Sequence, residues 1–173
     1  MAEEKSRRDL SRSLGICPSM VSQYDTALLT LNELRFGLRR EQLEAQIAEA
    51  KAAFDTVRAH RLVNERKGIP PATMTALPSA AQISAMLTQL VSSAQEHYGH
   101  MTDVPDFDIS EAERTKQLVD ALQRLVRAMA DFEQSKNADA CIAAIEAFVA
   151  KTTTDFRPLP PGNPYGYYLT LNA

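Results

Sequence analysis

The sequence predicts an all-α protein. Ala, Leu, Glu, Gln and Arg dominate the middle of the chain, a composition that favours helix. Apolar residues there recur three and four apart, the period of a helix face, and no alternating strand pattern occurs before the last ten residues. The expected architecture is an N-terminal helical hairpin (1–36), a long coiled-coil-type helical stalk (37–67), a Pro-rich linker (68–79), a three-helix assembly unit (80–151) and an extended C-terminal arm (152–173).

Residues 3–14 predict a first short helix, with Glu3 and Glu4 at its positive N-terminal end. Leu10, Ser11 and Leu14 face inward one turn apart. Gly15 ends the helix, because glycine takes φ > 0 at little cost. Ile16 plugs the corner, and Pro18 suits the first turn of a second helix, where a missing N–H is harmless. Val21 and Tyr24 then point back to the first helix at i, i+3 spacing.

The second helix carries Leu28, Leu31, Leu34 and Leu38 as one apolar stripe. Leu43, Ile47, Ala50, Phe54 and Val57 follow at alternating steps of four and three, the spacing of a coiled-coil seam. Gly37 is placed to kink or break the helix between the two stripes. Unbroken from Ser19 to Asn64, it would be roughly 70 Å long. Such a stripe needs the later helices, or further copies of itself, to cover it.

Pro70 and Pro71 stop the helix and open the linker. Ser79 caps the next helix, residues 80–100, whose wide apolar face is Ile83, Met86, Leu87, Leu90, Val91 and Ala94. After an acidic loop, Ser110 and Glu113 have capping-box spacing. The helix behind them runs to about Gln134, with Leu118, Leu122, Leu125, Met129 and Phe132 inward. Asn137 caps a last helix, 138–151, with Cys141, Ile142, Ile145, Phe148 and Val149 inward. The Pro-rich arm beyond it cannot be helical, yet carries Tyr165, Tyr167, Tyr168, Leu169 and Leu171, which suit a partner interface.

Net charge is −3, which argues against a general nucleic-acid binder. The charge is uneven. Residues 1–67 carry twelve Lys and Arg against ten Asp and Glu, whereas residues 68–173 carry seven against twelve. Any DNA contact therefore belongs to the N-terminal end. Cys17 and Cys141 lie too far apart in sequence to suggest a disulfide framework, and a reducing compartment follows. The first residues lack the apolar core of a signal peptide, and no stretch of eighteen apolar residues exists, so no membrane partner is expected.

The run Arg7 to Thr26, RRDLSRSLGICPSMVSQYDT, resembles the helix-turn-helix of DNA-binding proteins. The likeness lies in a small residue at Ser11, then Leu14-Gly15-Ile16, then Val21-Ser22. Ser11 stands where Ala is commoner, and Cys17 where Ser or Thr usually caps the second helix. A plain helical hairpin without nucleic acid has the same spacing. The resemblance implies a second helix in the major groove with Ser19, Ser22, Gln23 and Thr26 exposed, and Gln23 able to pair with adenine. Lys5, Arg7, Arg8 and Arg12 would meet phosphates; otherwise they form a solvated face.

The order of parts is similar to phage small terminase subunits of the lambda type. Those have a helix-turn-helix almost at the first residue, then a charged stalk, matched here by Arg39 to Lys67, then a helical assembly region, matched by 80–151. The resemblance implies a non-enzymatic homo-oligomer that recognises a DNA packaging site and recruits a motor, in the host cytoplasm or the virion. The competing expectation is a helical structural assembly protein of a virion or other large complex, with the arm on a neighbouring subunit and no DNA role. A transcriptional regulator is third, since no effector pocket is evident.

No catalytic residues, cofactor or metal are expected. His97 and His100, with Asp103, Asp106 and Asp108 behind them, lack a fourth ligand fixed by spacing and do not match a calcium loop. Cys17 at a helix N-terminus would need His60 as its partner to act as a nucleophile, and a capping or core-edge role is the simpler one.

Overall fold

A computed structural model describes residues 20–103, 105–106 and 109–151. Among these the chain is all-α, with no strand: α1 Val21–Ala52, α2 Thr56–Lys67, α3 Ala80–Thr102, α4 Ile109–Ser135 and α5 Ala138–Lys151. The expected first short helix, the Gly15 turn and the C-terminal arm lie outside the described residues.

At 32 residues, α1 is about 48 Å long and belongs to two cores. Its first half is buried on several sides, through Val21, Tyr24, Ala27, Leu28, Leu31, Leu34 and Leu38. These join Ile83, Leu87 and Leu90 of α3, Leu118, Leu122, Leu125 and Met129 of α4, and Cys141, Ile145 and Phe148 of α5 in one apolar cluster. The expected three-helix unit is thus a four-helix bundle with α1 as its fourth member. The core crosses the expected boundary between an N-terminal hairpin and a stalk. The physical reason is area: each of these side chains is worth about 1.5–3 kcal/mol when fully buried, and three helices leave one side of the cluster wet. Val21 and Tyr24 lie in this bundle core.

The expected stalk is a hairpin. The helix breaks at Ala53–Asp55, and α2 turns back on the second half of α1. Phe54 takes φ 57°, the left-handed conformation that closes many helix C-termini. The Asp55 N–H donates to Ala50 O at 2.9 Å and the Phe54 N–H to Lys51 O at 3.1 Å, which satisfies two end carbonyls of α1. Asp55 then caps α2, accepting from the Arg58 N–H at 2.9 Å. Leu43, Ile47 and Ala50 are covered by Ala59 and Leu62, with Val63 and Ile69 at the edge. Phe54 and Val57, expected in the seam, are instead 89% and 81% exposed. The chain supplies its own cover for the first three seam positions and turns before the last two.

Helix α1 runs unbroken through Gly37. A Cβ there would overlap Leu77 Cδ1, so the glycine admits the linker at close approach. The linker follows α1 closely. The Glu33 carboxylate accepts from Thr73 N–H at 3.0 Å, Thr73 Oγ1 at 2.6 Å and Met74 N–H at 3.3 Å. Arg40 Nη2 donates to Pro70 O at 2.9 Å, and Arg39 pairs with Glu65.

Ser79 and Gln82 form a reciprocal capping box at the start of α3, with both bonds at 3.1 Å. Helix α4 is described from Ile109 onward, one residue ahead of Ser110, and the capping side chain expected at Ser110 lies outside what is described. Lys136 takes φ 55° between α4 and α5, and Asn137 Oδ1 accepts from the Ala140 N–H at 3.2 Å. Two contacts set directions. Leu77 lies over Gly37 while Met86 and Gln89 lie beside Ser22 and Thr26, so α3 runs antiparallel to α1. Gln42 Nε2 donates to Asp139 Oδ1 at 2.8 Å, so α5 starts near the middle of α1 and runs back along its first half.

Candidate functional site

Two surfaces are built well enough to bind something. The first is the outer face of α1 at its N-terminal end. Burial of Val21, Tyr24, Ala27 and Leu28 leaves Ser22, Gln23 and Thr26 exposed, as helical periodicity requires. Of the expected DNA-reading positions these three lie among the described residues. Ser19, Lys5, Arg7, Arg8 and Arg12 lie outside them. Thr26 Oγ1 donates to Ser22 O at 2.9 Å, which uses its proton within the helix. Gln23 keeps both donor and acceptor for an outside partner.

Ser22, Gln23 and Thr26 do not stand alone. They share a depression of about 260 Å³ with Met86 and Gln89 of α3. Neither residues 20–34 nor residues 80–102 contain a Lys or Arg. Phosphate neutralisation dominates the affinity of proteins for duplex DNA. Neither of the two helix segments that form this surface supplies such a cation.

The second surface is the tip of the α1–α2 hairpin. Lys51, Phe54, Thr56, Ala59, His60 and Val63 line an open groove of about 340 Å³, walled mainly by carbon. Val57 stands exposed beside it. Arg58 reaches Glu49 at 3.6 Å across the hairpin, a solvated pair that contributes little. Reading the seam periodicity placed Phe54 and Val57 in a core and missed this surface. The usable signal was Asp55-Thr56, a cap-type residue inside an otherwise unbroken helical run.

The remaining expected positions are simpler. His100 Nε2 lies 3.7 Å from Glu96 Oε1 one turn back. No group of three or more His, Cys, Asp and Glu among the described residues is close enough to hold a metal ion. Asp108, Tyr165, Tyr167, Tyr168, Leu169 and Leu171 lie outside the described residues, as does Cys17. Cys141 is buried in the bundle, and burial pushes its thiol up to about 11 from the ordinary 9.0. A thiol held protonated in this way is a poor nucleophile. A further depression of about 220 Å³ between α4 and α5 is lined by Leu125 and Phe148, with Arg124 and Lys151 at its rim. Asn32 was passed over in the sequence: it is 6% exposed, and neither Oδ1 nor Nδ2 finds a partner among the described residues. No helix among the described residues is long and apolar enough to cross a membrane.

No family model, curated protein or solved structure matches the chain.

Proposed function

We propose that this protein is a non-enzymatic helical component that works by assembling with copies of itself. The observation that carries the reading is the hairpin tip, where Phe54 and Val57 expose large apolar side chains that the fold does not use. Single exposed apolar residues are ordinary, but an exposed Phe54 lining a carbon-walled groove, with Val57 exposed three residues on, marks an interaction surface. The C-terminal arm, with Tyr165, Tyr167, Tyr168, Leu169 and Leu171, is the second half of the proposed interface. Truncation after Arg157 tests it. The expected result is unchanged helix content by circular dichroism with a lower mass by light scattering. An unchanged mass overturns the reading.

A second reading adds duplex DNA as a partner, as in phage packaging proteins of the small-terminase type. Its support is the exposure of Ser22, Gln23 and Thr26 on a helix anchored by the bundle core. Fluorescence anisotropy with duplex DNA across a salt series tests it. Replacing Arg7, Arg8 and Arg12 together by Ala should weaken binding to every sequence and flatten the salt slope by about one unit per lost contact. Gln23→Ala should instead alter sequence preference. No duplex binding by the wild-type chain at low salt removes DNA from the function.

A further inference from the structure

We propose that the groove at the hairpin tip holds residues 158–173 of a second copy of this chain. The inference rests on the assembly reading above and names the surface on which the arm docks.

The first observation is Phe54. It combines φ 57° with 89% exposure of a large ring. A bulky residue in the left-handed region is strained, and an exposed ring gains nothing from burial. Gly or Asn would close α1 in the same way without either drawback. Strain at a position whose side chain serves nothing inside the fold points to a use outside it.

The second observation is the fit of the segment. Residues 158–173, PLPPGNPYGYYLTLNA, contain no charged side chain and carry Leu159, three tyrosines, Leu169 and Leu171. That chemistry suits an open, carbon-walled groove of about 340 Å³ better than water. Lys51 in the lining can place its ammonium over a tyrosine ring.

The third observation is position. Helix α5 begins beside Gln42 and runs back along the first half of α1. Its 14 residues carry Lys151 about 20 Å away from that point. The tip lies about 18 Å from Gln42 in the other direction along α1. The root of the arm and the tip of the same chain are therefore at opposite ends, on the order of 35–40 Å apart. Residues 152–164 cover that distance only as a straight polyproline-type strand, at about 3.1 Å per residue. A second copy stacked end to end places its tip at the root of the arm without that demand. Contact between two tips is a weaker alternative. Phe54 contributes about 150–250 Å² and Val57 less, against about 800 Å² per partner in a stable interface. A head-to-tail contact of this kind closes into a ring or extends into a filament.

The test uses the full chain carrying the photo-crosslinking amino acid p-benzoylphenylalanine in place of Phe54. Heavy-isotope and light chains are mixed before irradiation. The expected product joins a heavy to a light chain, with the crosslink inside residues 158–173. A crosslink within one chain, a crosslink between two tips, or none at a concentration where the chain assembles overturns the proposal. A second measurement compares self-association of Phe54→Gly with that of a triple variant, Tyr167→Ser, Tyr168→Ser and Leu169→Ser. Glycine prefers the backbone conformation at 54, so the hairpin persists. Both variants should assemble at least about ten-fold more weakly, and the combination no more weakly than the worse of the two. If the arm variant dissociates and Phe54→Gly does not, self-assembly stands and this docking site is wrong. If neither changes the assembly, neither the tip nor the arm holds it and this proposal is wrong; a wild-type chain that stays monomeric overturns the assembly reading itself.

Discussion

At residue 54 two forces oppose each other and packing elsewhere decides. A non-glycine residue in the left-handed conformation costs about 1–2 kcal/mol, and Phe54 holds φ 57° because the turn lets Ala59 and Leu62 cover Leu43, Ile47 and Ala50. Phe54→Gly should therefore raise stability by about 1 kcal/mol, read by urea denaturation at a protein concentration low enough to exclude assembly. A loss of stability would mean that the ring supports the hairpin itself. Cys141 makes a second residue-scale prediction. Its thiol titrates at about 11 in the folded chain, against an ordinary 9.0, because the bundle excludes water. Above pH 9 the unfolded chain releases the proton while the folded chain keeps it, so stability falls as pH rises from 9 to 11. Cys141→Ala should flatten the stability profile across that window relative to wild type. An identical profile would show that the thiol is not the group responsible.

At the scale of the element, two side chains of α1, Glu33 and Arg40, hydrogen-bond the linker. Glu33 accepts three bonds from Thr73 and Met74, while Arg40 fixes Pro70. The bonds are solvent-exposed, so each contributes toward the low end of the usual 0.5–1.5 kcal/mol. Glu33→Ala should cost about 1–2 kcal/mol in total and leave helix content unchanged, while making residues 70–78 more open to protease. Limited proteolysis with mass mapping reads the site directly. Unchanged cleavage would mean that Leu77 over Gly37, rather than Glu33, holds the strap.

At the scale of the whole molecule, α1 links two cores of unequal size. The bundle core draws on four helices, whereas the hairpin core consists of Leu43, Ile47, Ala50, Ala59 and Leu62. Local opening follows the amount of buried apolar contact. Hydrogen exchange should therefore show α2 exchanging well before α3 and α4, with the second half of α1 between them. Uniform protection of α2 and α4 would mean one cooperative unit. If the tip docks a neighbour, α2 should also gain protection as protein concentration rises.

Local chemistry in the sequence determined the helical class, the caps at Ser79 and Asn137, and most of the buried stripes: Leu28, Leu31, Leu34 and Leu38; Ile83, Leu87 and Leu90; Leu118, Leu122, Leu125 and Met129. Period and capping are properties of a few neighbouring residues, so they are legible without a fold. The exposure of Ser22, Gln23 and Thr26 was legible in the same way, from their alternation with Val21 and Tyr24. Their neighbours Met86 and Gln89 were not, because those come from a helix more than fifty residues away. An apolar stripe states that it is covered, but not by what. Whether Leu43, Ile47 and Ala50 met another copy or their own chain depended on the gain from folding α2 back, weighed against strain at Phe54. That comparison sums contacts distant in sequence, and only the tertiary structure decides it. The exposed tip, and with it the proposed docking site, is the consequence.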